Sequence, residues 1–277
     1  MYMKIYNKNS VDNMKEIKTN SIDLILTSPP YWDIKDYNVD EQLGLGLTYK
    51  CYLELLKKNI FECMRVLKED RFCIFNVADI RKNISESKYS RPKIYPIHSD
   101  LIQYFISMDF EFLSHTIWKK ESVKKGNKGK IIYGSVDKEY IYPPYVYNDL
   151  SIEHILVFRK PGQRRNLPKL DERVDKFPKK DVQDWFSPVW NINPSSCNIN
   201  HPATFPEELV SRLINLYSIK GDTVLDPYCG IGTTLKVANE LQRNAIGYEI
   251  NLEYLSQIIK DMHMENNDLE YVYEYEI

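Results

Sequence analysis

Thr223-Val224-Leu225-Asp226-Pro227-Tyr228-Cys229-Gly230-Ile231-Gly232-Thr233-Thr234 decides the fold of this chain. A short apolar run ends on a carboxylate, a turn with two glycines follows, and helix-forming sequence begins at Thr233. This strand–turn–helix junction is where open α/β sheets bind ligands, beyond the carboxyl ends of their strands. Gly230 and Gly232 allow a tight turn and a close approach of backbone to ligand. Glu249 ends the next strand, 23 residues after Asp226, where a carboxylate can accept both hydroxyls of a ribose. The segment is not G-x-x-x-x-G-K-[ST], so it is not a triphosphate P-loop, and the third glycine of a dinucleotide fingerprint is missing.

Outward from this junction, strands and helices alternate. Pro206 to Ser218 places Leu209, Leu213 and Leu216 on one helical face. Thr233–Leu241 and Leu252–His263 read as helices flanking a strand at Ala245–Glu249. Nearer the amino end, Ser21–Thr27 reads as a buried strand stopped by Ser28-Pro29-Pro30, because proline cannot donate to the ladder. Helices are expected at Thr48–Leu67 and Ile97–Met108, and strands at Phe72–Ala78, Phe110–Trp118 and His154–Phe158. The pattern predicts an α/β fold, a mainly parallel sheet with helices on both faces. Lys119–Leu150 and Lys160–Asn200 read as irregular insertions outside the core.

Composition narrows the partners. The 277 residues carry a net charge of −2, yet Lys119–Lys180 holds 16 Lys/Arg against 8 Asp/Glu. A basic middle in a mildly acidic chain suits a phosphate-contacting surface. Asp261–Ile277 is acidic, with no Lys or Arg. No apolar run is long enough to span a membrane, and the first residues do not resemble a signal peptide, so a cytoplasmic location is expected. The five cysteines are odd in number and form no C-x-x-C pair, and the five histidines never recur at i, i+4. Neither a disulfide framework nor a metal site is expected, and the cysteines read as packing residues.

Thr27-Ser28-Pro29-Pro30-Tyr31-Trp32 sets hydrogen-bond acceptors and an aromatic platform at the carboxyl end of a strand. Here the chain resembles the amino-methylating DNA methyltransferases, whose catalytic motif is S-P-P-Y, D-P-P-Y or N-P-P-Y and whose cofactor motif is D-P-F-x-G-S-G-T-T. Ser28–Tyr31 and Asp226–Thr234 match them. His201–Leu209 is similar to the family element that precedes the cofactor strand, and Arg65–Lys68 and His154–Gly162 are similar to further family segments. The catalytic motif precedes the cofactor motif, as in the permuted β group, where the target-recognition region lies between them. Three departures stand out: Tyr228 replaces the usual Phe, Ile231 stands where Ser is frequent, and the usual acidic residue before the first strand is Asn9, with Asp12 nearby.

The resemblance implies a Rossmann-like S-adenosylmethionine-dependent fold in three parts. These are a catalytic half (1–118), a basic target-recognition insertion (119–200, containing core strand 154–158) and a cofactor-binding half (201–277). It implies catalysis by Ser28, Pro29, Pro30 and Tyr31. Cofactor binding is expected at Asn9, Thr204, Phe205, Pro206, Asp226, Pro227, Tyr228, Gly230, Gly232, Thr233, Thr234 and Glu249. Lys124, Lys125, Arg164, Arg165 and Lys169 are candidate contacts to double-stranded DNA, with no metal required. In the family Ser at the first catalytic position goes mostly with cytosine N4, and Asp or Asn with adenine N6. The expected activity is therefore N4-cytosine methylation in a restriction–modification setting, with a cognate endonuclease as a partner and the chain a monomer or homodimer. Adenine N6, an RNA or protein substrate, and a DNA-binding relative without activity are the competing readings. A C5 mechanism would need a nucleophilic cysteine, and no Pro-Cys dipeptide occurs.

Overall fold

The computed structural model describes residues 1–39, 41–83, 92–120, 150–165, 172–194, 205–265 and 271–274. In chain order the elements are β1 (Met3–Tyr6), β2 (Ile22–Thr27), α1 (Tyr49–Val66), β3 (Leu67–Val77), β4 (Ile80–Asn83), β5 (Pro92–Tyr95), α2 (Ile97–Ser107), β6 (Glu111–Lys120) and β7 (Ile152–Arg159). They continue with α3 (Lys179–Trp185), β8 (Val189–Ile192), α4 (Glu207–Tyr217), β9 (Thr223–Asp226), α5 (Thr233–Glu240), β10 (Asn244–Tyr248), α6 (Leu252–Glu265) and β11 (Tyr271–Glu274).

Nine strands form one sheet in the order β11-β1-β10-β9-β2-β3-β7-β6-β8, and β4 and β5 form a separate antiparallel pair. Within the large sheet only β7 runs against its neighbours. All six residues of β2 and all four of β9 are buried, as expected of central strands covered on both sides. On one side α1 and α2 pack Leu56, Ile60, Leu101 and Phe105 against Phe75, Leu156 and Phe158. On the other, α4, α5 and α6 pack Leu213, Leu235 and Ile258 against Ile74, Val157 and Val224. Thr48 caps α1 through its side chain, which accepts from Cys51 N, and Glu207 and Glu208 complement the dipole of the uncapped α4.

The α/β reading holds, with one correction. The span Lys160–Asn200 is not wholly outside the core, because β8 joins the sheet edge in parallel register with β6, Trp190 opposite Trp118. Trp190 is 3% exposed, and the Trp118 Nε1–H donates to the Ile192 carbonyl at 2.9 Å. Four residues alternating between exposed and buried are too short a run to show as a period. The same brevity hides β1, β4, β5 and β11. Among the described residues no helix is long and apolar enough to cross a membrane.

Candidate active site

β2 and β9 lie side by side at the centre of the sheet, with Leu24 opposite Val224 and Ile25 opposite Leu225. Ser28–Tyr31 and Asp226–Gly230, about two hundred positions apart in sequence, therefore leave the sheet at the same edge. Thr27 Oγ1 donates to Asp226 Oδ1 at 2.6 Å and ties the two exits together. The exits open into a cleft lined also by Asn9, Phe205, Thr233, Thr234 and Glu249. Concave sites of this kind, at the carboxyl ends of sheet strands, are where small molecules bind.

Two carboxylates face this cleft. Asp226 is buried and also accepts from Tyr228 N at 3.1 Å. Burial pushes its pKa up to about 6, against the hydrogen bonds from Thr27, Thr234 and Tyr228 N. Glu249 Oε2 accepts from Gly230 N and Oε1 from Asn251 N, both at 2.8 Å. Burial lifts Glu249 to about 7, and the nearby charge of Asp226 adds to the rise. The main chain thus holds the Glu249 carboxylate in place at the end of β10. Gly232 begins α5 at φ +83°, and a Cβ there would meet the Ile258 side chain at 3.0 Å, so the turn needs glycine.

The Ser28–Tyr31 segment is held from behind by a buried polar chain. Ser28 Oγ donates its hydrogen to the Asn76 carbonyl at the end of β3, at 3.0 Å. With that proton committed, the hydroxyl lone pairs are left to act as acceptors toward the cleft. The Asn76 side-chain amide donates to Glu153 Oε2. Glu153 Oε1 accepts from the Tyr31 hydroxyl at 2.8 Å and from the Lys120 ammonium. Burial, and then the Glu153 charge, push the Tyr31 hydroxyl well above its usual range, so it remains a donor. Glu153 itself is 1% exposed, at the start of β7.

The two proline carbonyls differ. Pro30 O accepts from Trp32 N and from the Tyr52 hydroxyl, both at 2.8 Å. Among the described residues no group donates to Pro29 O. Trp32 holds an uncommon φ of +42°, buried against Tyr49, Tyr52 and Tyr95, with its indole N–H on Leu47 O. Gly44 makes this turn possible: its φ is +98°, and a Cβ would lie 2.8 Å from Trp32 Cα. Gly44→Ala is expected to destabilise the fold by about 1–3 kcal/mol. Thermal melting and the near-ultraviolet dichroism of the tryptophans check this, and an unchanged melting curve would show that the turn tolerates a side chain.

Of the residues expected at the site, Asn9, Ser28, Pro30, Tyr31, Phe205, Asp226, Pro227, Tyr228, Gly230, Thr233, Thr234 and Glu249 line the cleft. Pro29, Gly232 and Pro206 do not; Gly232 and Pro206 stand instead at the caps of α5 and α4. Thr204, Lys124, Lys125 and Lys169 lie outside the described residues. Arg164 is exposed. The Arg165 guanidinium pairs with Asp222 at 3.1 Å and its backbone N–H donates to Asp70, at the amino ends of β9 and β3. That is the pole of the sheet opposite the cleft.

Sequence reasoning missed Tyr37, Gln42, Leu43 and Tyr254, which also line the cleft. The loop bearing the first three is anchored by the Gln42 side-chain oxygen on Tyr37 N (2.7 Å) and by Asn251 Nδ2 on Tyr37 O (2.9 Å). No motif announces them, because a loop laid across a site has no period. Of the cysteines, Cys63, Cys73 and Cys229 are buried, as packing residues are, and Cys51 is exposed.

The model of a family described as DNA methylase matches residues 22–260. The type II methyltransferase M.MthZI of Methanothermobacter thermautotrophicus is 35% identical over 90% of this chain and 73% of its own length. M.MjaI of Methanocaldococcus jannaschii, also a type II methyltransferase, is 35% identical over 90% of this chain and 87% of its own. The Thermus thermophilus protein TTHA0409, solved in complex with S-adenosyl-L-methionine, superposes with a TM-score of 0.75 at 26% identity, covering 99% of this chain and 100% of that one.

Proposed function

Because the chain belongs to the DNA methylase family, the amino-methyltransferases of adenine N6 and cytosine N4, we propose that it methylates N4 of cytosine in double-stranded DNA within a type II restriction–modification system. Ser28 carries the choice of cytosine, and its orientation supports the chemistry. The hydroxyl proton is held by Asn76 O, so the oxygen can accept a hydrogen from the target amine. The Pro29 carbonyl, to which no described residue donates, is the second acceptor, beside the cleft rather than part of its lining.

The cleft fits S-adenosylmethionine by its donor set. It offers a carboxylate at the end of β10, a glycine turn between β9 and α5, and an aromatic wall from Tyr228, Tyr248 and Tyr254. Glu249 would hold the ribose hydroxyls, Phe205 the methionine part, and Asn9 would lie toward the adenine. When bound, this cofactor supplies a methyl group already activated on a sulfonium. The chain's own residues mainly position the acceptor. An exocyclic amine is a poor nucleophile, because its lone pair is delocalised into the base. Two acceptors on its hydrogens, Ser28 Oγ and Pro29 O, turn that lone pair out of the base plane. The Tyr31 ring gives the base a face to stack on, and Glu153 fixes the ring by its hydroxyl. The base must leave the duplex to reach this cleft, at a few kcal/mol. Stacking on an aromatic returns roughly 1–3 kcal/mol of that.

Digestion of methylated duplex DNA followed by mass spectrometry tests the base. N4-methylcytosine is expected. N6-methyladenine would overturn the choice of base while leaving amino-methylation intact.

The state of Glu249 gives a pH prediction. Only the carboxylate can accept two hydroxyl hydrogens, and its pKa in the folded chain is about 7. Cofactor affinity is expected to be full above that value and to fall as pH drops through it, by up to about tenfold per unit. The contribution of this group to stability has the opposite sign. Its folded pKa is raised above the usual 4.5, so the folded chain binds a proton that the unfolded chain does not, and its share of stability grows as pH falls from 7 toward 4.5. Calorimetry across this range checks the binding slope, with Glu249→Gln flattening it. A slope unchanged in that variant would move the titration to Asp226.

A further inference from the structure

Three of the chain's five histidines cluster beside one aspartate, away from the residues that line the cleft, two of them facing its carboxylate. Asp79 follows β3, His98 lies in the first turn of α2, His115 is on β6 and His154 is on β7. His98 Nδ1 is 2.7 Å from Asp79 Oδ1, and His154 Nε2 is 3.8 Å from Asp79 Oδ2. The other nitrogen of His154, Nδ1, is 2.9 Å from His115 Nε2. One ligand atom each from Asp79, His98 and His154 fits within a 4.8 Å span.

Part of this arrangement has a structural explanation. Asp79 Oδ1 also accepts from His98 N at 3.3 Å, so it serves the open amino end of α2, which has no side-chain N-cap. That accounts for Asp79 and His98. It leaves His154 beside the same carboxylate and His115 behind His154. His154 Nε2 points at Asp79 Oδ2 across a gap too long for a hydrogen bond. The His154 side chain is 9% exposed, so this nitrogen sits at a largely dry, polar position.

We propose that Asp79, His98 and His154 bind a first-row divalent transition ion of the zinc class, with His115 orienting His154 from outside. Two imidazoles and one carboxylate are a donor set for such ions and leave a further position for water. Tetrahedral zinc, with bonds of about 2.0–2.1 Å, sets its ligand atoms about 3.3 Å apart. The observed 2.7 and 3.8 Å separations bracket that distance. The rings of His98 and His154 stack at 4.0 Å, so one ring tilts as the ion enters. His115 provides the second hydrogen bond that a ligating histidine usually makes: in the tautomer with the proton on His154 Nδ1, His115 Nε2 accepts it and the Nε2 lone pair of His154 faces the ion. The ion would clamp the ends of β3 and β7 to α2. Val77 and His154 are register partners, and their neighbours Asn76 and Glu153 form the support of Ser28 and Tyr31. The site is therefore a brace for the catalytic wall rather than a participant in methyl transfer.

The test uses the full chain without a polyhistidine tag, stripped with a chelator that is then removed. Zinc(II) is titrated calorimetrically and cobalt(II) by its visible absorption. One ion per chain is expected, with imidazole-type cobalt bands and a higher melting temperature with zinc. His98→Gln, on the more exposed ring, should abolish the bands, and Asp79→Asn should do the same. His115→Phe should weaken binding by about 10–100-fold, as loss of an outer hydrogen bond does. Cofactor affinity measured on each variant shows that it is folded. Absence of a one-to-one ion in the unaltered chain overturns the proposal, as does unchanged binding in folded His98→Gln.

Discussion

Ser28→Ala is expected to lower the rate of methyl transfer roughly 10²–10³-fold, the scale seen when one preorganised hydrogen-bonding group is removed from a reacting centre. Cofactor affinity should stay within experimental error. The two readouts separate because, in the proposed mechanism, the Ser28 hydroxyl accepts from the target amine whereas Asp226, Glu249 and the glycine turn, which line the same cleft, hold the cofactor. The hydroxyl donates to the Asn76 carbonyl at 3.0 Å, a single bond to main chain whose loss removes little structure. Transfer of labelled methyl groups to duplex DNA under single-turnover conditions measures the first quantity and calorimetry the second. Full transfer by the variant would sink the acceptor role of Ser28.

The second large effect belongs to Glu153, a residue that touches neither base nor cofactor in this scheme. Glu153→Ala removes the common partner of Tyr31, Asn76 and Lys120 in one step. Breaking a buried ion pair from one side costs roughly 3–5 kcal/mol. The lower end applies here, because Lys120 keeps 31% of its side chain in water and can turn toward solvent. The melting temperature should drop by several degrees. Glu153→Gln is the sharper test, since its amide oxygen can still accept from Tyr31 while the charge is lost. It should retain cofactor affinity and most of the stability, yet lower kcat, because Tyr31 and Asn76 now compete for one acceptor. Wild-type kcat in a folded Glu153→Gln chain would mean that the polar chain behind Ser28 is structural only.

These two residues show what could be read in the sequence and what could not. Asp226–Thr234 and Ser28–Tyr31 are legible because each breaks a buried apolar run with residues of special geometry, and a run with its terminator is a local signal. Glu153 lies in the same segment as the apolar run of β7 but makes no pattern with Tyr31, 122 residues away. A signal did exist: a carboxylate at the head of a strand buried along almost its whole length needs partners. The histidines escaped for a related reason. Spacing of i, i+4 finds ligands on one helix, whereas Asp79, His98, His115 and His154 come from four different places in the chain. The short strands β1 and β8 carry too few residues to display a period, and their place is set by the neighbours they pair with.

The position of β1 has a consequence for how the protein is made. This strand is filled in on both sides, by β10 and β11, with Met3 in register with Ala245 and Tyr271. Its contacts span about 242 residues, so the closure entropy of nearly the whole chain must be met before they form. A ribosome working from the amino end releases β1 long before either partner exists. The half-sheet around β2, β3, β7 and β6 can assemble first, while β1 waits unpaired with its edges open. Translation that stalls after β7 would leave the strands bearing Ser28 and Tyr31 without β9, β10 and the cofactor side of the cleft. Maturation of the enzyme is in this sense postponed to β9, β10 and β11, and the nascent chain is the stage at which it is most open to chaperones or misassembly.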